Sequence, residues 1–247
     1  HALPLVKENA FLPDFSQIPP EVSQKAKLLF INYPNNPTGA VADHEFFERV
    51  VAFARSSNVI VCHDAAYTEI AYDGYRPPSF LEVEGARDVG VEFHSLSKTF
   101  NMTGWRVGFV VGNAEVIEGL GKIKTNVDSG VCEAIQQAGI EALDHCEAAS
   151  QDNCAVFQRR RDLMVEALRE AGFELEAPRA TFYLWISVPH GYTSTEFATF
   201  LLTEAGIVAT PGNGFGRWGE GYIRMSLTVR EERLHEAAGR LQNLTWR

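Results

Sequence analysis

The chain has 247 residues, 45% of them hydrophobic and 11% aromatic, which is enough to bury a sizeable core in one or two domains. A formal net charge of −10 leaves no excess of Lys and Arg for a nucleic-acid or anionic-membrane surface, and partners of both kinds are excluded. No apolar run approaches the length of a membrane span, and no charged segment with a following apolar core opens the chain, so neither an anchor nor a signal peptide is expected.

Arg159, Arg160 and Arg161 form the one tight basic cluster, which a solvated helix face explains. Cys62, Cys132, Cys146 and Cys154 fall outside C-x-x-C spacing, so free thiols in a reducing cytoplasm are expected and a metal site is not.

In chain order, His1 to Glu8 reads as the middle of a domain. The run Leu28-Leu29-Phe30-Ile31, bounded by charge and by a proline turn, predicts a buried strand between Lys27 and Asn32. Asp43 is placed to cap a helix whose apolar face is Phe46, Phe47, Val50, Val51 and Ala54, ending near Ser56-Ser57-Asn58. Val59-Ile60-Val61-Cys62 predicts a second buried strand, with Asp64 just past its end.

Strands over 91–95 and 107–111 and helices over 114–124 and 134–143 complete an α/β fold with a mostly parallel sheet flanked by helices. A long helix from near Gln151 through Leu168 stops at Gly172 as a C′ residue, and a domain boundary is expected inside it. Residues 1–155 would form the large domain and 156–247 a small α+β domain. The latter has strands over 182–186, 207–210 and 222–227, a helix over 196–205 and a final helix from Glu231.

The chemistry is concentrated in Ser95-Leu96-Ser97-Lys98-Thr99-Phe100-Asn101-Met102-Thr103-Gly104-Trp105-Arg106. A lysine among hydroxyls, with an arginine eight residues on, can hold an aldehyde cofactor covalently while Ser95, Ser97 and Arg106 grip a phosphate. Pyridoxal phosphate asks for this arrangement. For either charge taken alone, the better reading is a strand, a glycine turn and a second strand carrying solvated Lys98 and Arg106, since charged side chains are mostly exposed. Two further motifs shift the balance: Asn32-Tyr33-Pro34-Asn35-Asn36-Pro37-Thr38-Gly39, and His63-Asp64-Ala65-Ala66-Tyr67.

In this order the three segments resemble the fold-type I aminotransferases of class I/II, over essentially the whole chain. Val91 to Lys98, Ile123 to Gly130 and Gly219 to Leu227 are similar to a narrower group, the LL-diaminopimelate aminotransferases and their near relatives. In such enzymes a preceding N-terminal portion carries an arm, a phosphate loop and an aromatic ring stacked on the pyridine, none of which is recognisable here.

The residues divide into roles on that footing. Asp64, which alone would read as a cap or turn residue, becomes the partner of the cofactor's ring nitrogen, because it follows a buried strand and precedes Tyr67 by three. Tyr67 and Asn36, otherwise a core tyrosine and an Asx turn, would donate to the cofactor's 3′ oxygen. Arg224, between Ile223 and Met225, suits either a buried structural ion pair or the α-carboxylate of a substrate, and the resemblance favours the substrate. Lys98 would also carry the proton at the substrate Cα.

The resemblance further implies a cis Asn36–Pro37 bond and a cytoplasmic homodimer, with Tyr75 and Arg76 as contact candidates. Pro211 to Gly216 reads as a turn at the site's edge, His63 and His94 as local packing or hydrogen-bonding residues, and Trp105 as core. The expected activity is transfer of an amino group between an amino acid and a 2-oxo acid, LL-diaminopimelate and 2-oxoglutarate among them. Aspartate- or alanine-type transamination, C–S lyase chemistry and a non-catalytic effector-binding module are the alternatives.

Overall fold

The computed structural model describes residues 1–245. In chain order its helices and strands begin with α1 (Pro20–Ser23), β1 (Leu28–Asn32), α2 (His44–Ser57), β2 (Ile60–Asp64), α3 (Ala86–Val89), β3 (Gly90–Ser95) and α4 (Leu96–Thr99). Next come β4 (Gly108–Gly112), α5 (Ala114–Val127), α6 (Glu133–His145) and α7 (Glu147–Glu170). The chain closes with β5 (Tyr183–Ser187), α8 (Ser194–Ala205), β6 (Thr210–Pro211), β7 (Tyr222–Ser226) and α9 (Glu231–Gln242).

Two compact units are present. One is built mainly from 13–34 and 41–154, the other from 155–247 together with 4–12 and 35–40. The division falls within α7.

In the first unit the sheet order is β1-β2-β3-β4. The β1–β2 and β2–β3 pairs are parallel and β3–β4 is antiparallel. The register aligns Ile31, His63 and Glu92 across three strands, and Asn32, Asp64 and Phe93 in the next row. Because successive strand residues face opposite ways, His63 and Asp64 project from opposite faces. The His63 face is buried with Leu29, Ile31 and Val61. On the Asp64 face Phe30 is 70% exposed and Leu28 53%.

Helix α2 begins where Asp43 accepts from the Phe46 N–H at 2.7 Å, and its buried face is the predicted set Phe46, Phe47, Val50, Val51 and Ala54. Asn58 ends it in the left-handed conformation.

In the second unit β7 lies between β5 and β6, all antiparallel. Leu184, Ile186, Ile223 and Met225 form the buried face, and Tyr183, Trp185, Tyr222 and Arg224 alternate onto the other. Gly172 closes α7 as predicted. Its φ is +92°, the Phe173 N–H donates to the Leu168 carbonyl at 2.9 Å and the Gly172 N–H to Arg169 at 3.0 Å, the paired bonds of a Schellman motif. Helix α8 opens with a capping box between Thr193 and Glu196.

Four expectations are corrected. Asp64 is the last residue of β2, because the ladder to Asn32 and Phe93 carries the strand beyond its apolar run. Trp105 is 50% exposed, on a short turn (Thr103–Trp105) that gives its ring no core to enter. Arg161 is 4% exposed, unlike its solvated neighbour Arg159, since it faces inward from α7 to reach the Pro178 carbonyl at 3.1 Å and Asp162 at 2.6 Å. The strand expected over 207–210 is confined to Thr210–Pro211.

Candidate active site

Within the first unit, Asp64 and Ser95 line one hollow of about 360 Å³ together with Cys62, Phe93, His94 and Phe30. The two candidate residues meet there because β2 and β3 run parallel and both end at this edge, the position where open α/β sheets collect ligands. Asp64 is exposed, and its Oδ1 accepts from the Ala66 N–H at 3.3 Å, a local turn that leaves the carboxylate facing outward. Burial pushes the Cys62 thiol up.

Ser95 ends β3 and caps α4, its Oγ accepting from the Ser97 N–H at 3.2 Å. Lys98 follows on this single turn and is half-buried, whereas Ser97 is buried. The Thr103 hydroxyl donates to the Ser97 carbonyl at 3.1 Å, and Arg106 Nη1 donates to the Thr103 carbonyl at 2.9 Å. Arg106 is thereby linked back to α4. It is exposed and sits at φ +54°, in the left-handed region. Tyr67 is buried in the turn after β2, where its carbonyl accepts from Ile70.

The second unit holds Asn36 and Arg224. The Asx turn of the Asn-Pro motif is made by Asn35, whose Oδ1 accepts from Thr38 N and Oγ1 at 3.1 and 2.7 Å. Asn36 instead turns its Oδ1 to Arg224 Nη1 at 2.7 Å. The Asn36–Pro37 bond is cis, the isomer the resemblance implies, and so is Tyr33–Pro34.

Arg224 lies among aromatic rings, with Cζ 4.2 Å from the Tyr183 centroid and 4.7 Å from that of Phe215. Its Nε is buried and without a hydrogen-bond partner, as is Trp185 Nε1 on the paired strand. Sequence reasoning missed Tyr183, which strand alternation from Trp185 reaches. Phe215 lies in the Pro211–Gly216 run expected at the site's edge and arrives through the turn Gly212–Phe215.

The donor set has a definite chemistry. An amine, a guanidinium and a hydroxyl suit an aldehyde and a phosphate, a carboxylate suits a protonated ring nitrogen, and the orphaned Arg224 Nε calls for an anionic acceptor. Among the described residues no group of three or more His, Cys, Asp or Glu is placed to hold a metal ion, and no helix is long and apolar enough to cross a membrane.

Comparison with known proteins agrees with this chemistry. The family model described as aminotransferase class I and II matches residues 2–241. An LL-diaminopimelate aminotransferase of Syntrophobacter fumaroxidans is 58% identical over 99% of the chain and 63% of its own length. LL-diaminopimelate aminotransferase 2 of Trichormus variabilis is 57% identical over 98% of the chain and 62% of its own. The chain therefore spans about three-fifths of the length of these relatives.

Among solved structures, substrate-bound BacF from Bacillus subtilis superposes with a TM-score of 0.93 at 42% identity, covering 98% of this chain and 62% of that one. A probable N-succinyldiaminopimelate aminotransferase from Thermus thermophilus gives 0.90 at 38%, covering 98% and 64%.

Proposed function

Because the chain belongs to the class I and II aminotransferases, we propose that the protein is a pyridoxal-phosphate-dependent transaminase. It moves an amino group between an amino acid, LL-diaminopimelate first among candidates, and 2-oxoglutarate. The observation that carries this reading is Arg224, a half-buried guanidinium held by a neutral amide at one end and left with an unsatisfied Nε. A substrate α-carboxylate supplies the acceptor that this geometry lacks. The choice of LL-diaminopimelate rests on relatives of that name at 56–58% identity.

When bound, pyridoxal phosphate supplies an aldehyde and an electron-accepting pyridine ring. Lys98 Nζ is the amine that holds the aldehyde, and it moves the proton at the substrate Cα. Asp64 keeps a proton on the ring nitrogen, since a carboxylate there favours the charged form. Arg106, Ser95 and Ser97 bind the phosphate. Tyr67 and Asn36 donate to the ring oxygen. With Asn36 Oδ1 accepting from Arg224, its donors lie on Nδ2.

The reading includes a homodimer in the cytoplasm with Tyr75 and Arg76 at the contact. It is supported by four free thiols and an exposed Arg76.

Incubation of the whole protein with LL-diaminopimelate and 2-oxoglutarate tests the activity. Glutamate formation that requires both compounds is the expected result. Pyruvate and ammonia released from an amino acid without any 2-oxo acid would show a lyase instead, and light scattering showing an active monomer would remove the dimer.

A further inference from the structure

His63 and Glu92 face each other across the parallel β2–β3 pair, on the sheet face opposite Asp64. His63 is fully buried and Glu92 is 1% exposed. The ring is held at both ends, with Nδ1 3.0 Å from Glu92 Oε2 and Nε2 2.9 Å from the Tyr33 carbonyl oxygen.

The Glu92 carboxylate is ringed by donors. Besides His63 it receives the Ser79 hydroxyl at 3.0 and 3.1 Å, the Phe80 N–H at 2.9 Å and His94 Nε2 at 2.8 Å. Burial raises this carboxyl, but the hydrogen bonds from His63 and His94 and their positive charge more than offset it and hold it well below the usual carboxylate range. An ionised carboxylate only accepts, and a backbone carbonyl only accepts. The His63 ring satisfies both neighbours only with a proton on each nitrogen.

We propose that His63 and Glu92 form a buried imidazolium–carboxylate pair that positions Asp64 for the cofactor's ring nitrogen. The proposal rests on the role given to Asp64 above. Asp64 is the next residue along β2, and on its own face the side chain has only the long turn bond to Ala66. The orientation of the strand end is therefore set from beneath, by a ring tied to β3 through Glu92 and to the chain leaving β1 through Tyr33. The same ring fixes Tyr33, at the start of the Asn-Pro motif. Rings of Phe47 and Phe80, with centroids 5.1 and 6.2 Å away, close it in. His63 and Glu92 are positioning residues, acting through Asp64 rather than on substrate.

The first test needs only the unaltered protein. With histidine labelled by ¹⁵N in the ring, the buried imidazole, identified by its slow solvent exchange, is expected to carry a proton on each nitrogen, as its two acceptors require. A singly protonated ring overturns the ion pair.

The second test uses His63→Gln and Glu92→Gln in the whole protein loaded with pyridoxal phosphate. Turnover is expected to fall on the order of tenfold to a hundredfold with little change in KM, as for loss of orientation at a reacting group, and the pH midpoint of the cofactor's visible band is expected to move. Unchanged turnover and midpoint in a folded variant overturn the positioning role. Asp64→Asn separates this failure from that of the underlying reading: if it retains full turnover, the role of Asp64 itself is wrong, and the positioning proposal falls with it whatever the ring's protonation.

Discussion

Arg224 Nη1 donates to Asn36 Oδ1 at 2.7 Å, joining residues 188 positions apart in the sequence. The bond orients a guanidinium whose Nε has no partner and whose Cζ lies 4.2 and 4.7 Å from the Tyr183 and Phe215 ring centroids. Arg224→Lys keeps the charge but loses the planar fork, and a hydrogen bond to a charged group contributes about 1.5–3 kcal/mol. Steady-state kinetics of the whole protein should show kcat/KM lowered by roughly 10- to 150-fold. A change under twofold would remove Arg224 from substrate binding.

Lys98 is the one amine in the hydroxyl-rich turn after β3. Lys98→Ala is expected to abolish both turnover and the visible band that pyridoxal phosphate gives when held covalently. Normal turnover in this variant rejects the assignment outright.

Gly212 and Gly219 bring their backbones together in the second unit, where a Cβ built on Gly212 would lie 2.0 Å from the Gly219 carbonyl oxygen. That partner is backbone and cannot swing aside. Gly212→Ala should cost about 1–3 kcal/mol in denaturant unfolding, the range for overpacking. Unaltered stability would mean the turn is looser than described.

The depressed Glu92 carboxyl links stability to acid. Burial raises it, the hydrogen bonds and charges of His63 and His94 lower it further, and the folded value ends below the unfolded one. Its contribution is thus complete above the unfolded value, near ~4.3, and is lost as pH falls through the folded value. Glu92→Gln should flatten the decline of unfolding free energy between about pH 4 and pH 2. An acid limb as steep as that of the parent would disprove the linkage.

Local pattern was enough for the elements whose residues need only their neighbours. The apolar spacing of α2, its Asp43 cap and the stop at Gly172 follow from helix periodicity and from the steric freedom of glycine, and all can be read in a dozen residues. The resemblance carried by the three motifs likewise singled out Lys98, Asp64, Asn36 and Arg224 as candidates, because a resemblance needs only residue identities in order and no coordinates.

Burial and partnership had to come from the tertiary structure. Trp105 and Arg161 read as core and surface by residue type, yet each takes the opposite place, since exposure depends on what packs against a side chain. Nothing within a few residues of His63 announces its two acceptors, which come from positions 29 and 30 away, one on β3 and one on the chain leaving β1. Tyr183 and Phe215 reach Arg224 only because β5 pairs with β7 and the Gly212–Phe215 turn folds back. Sequence alone determined which chemical groups the chain carries and the local elements that bear them. Which groups meet, and which of their donors and acceptors are satisfied, was decided by strand register and by the turns between strands, because a one-residue shift would send strand residues such as His63, Asp64, Tyr183 and Arg224 to the other face.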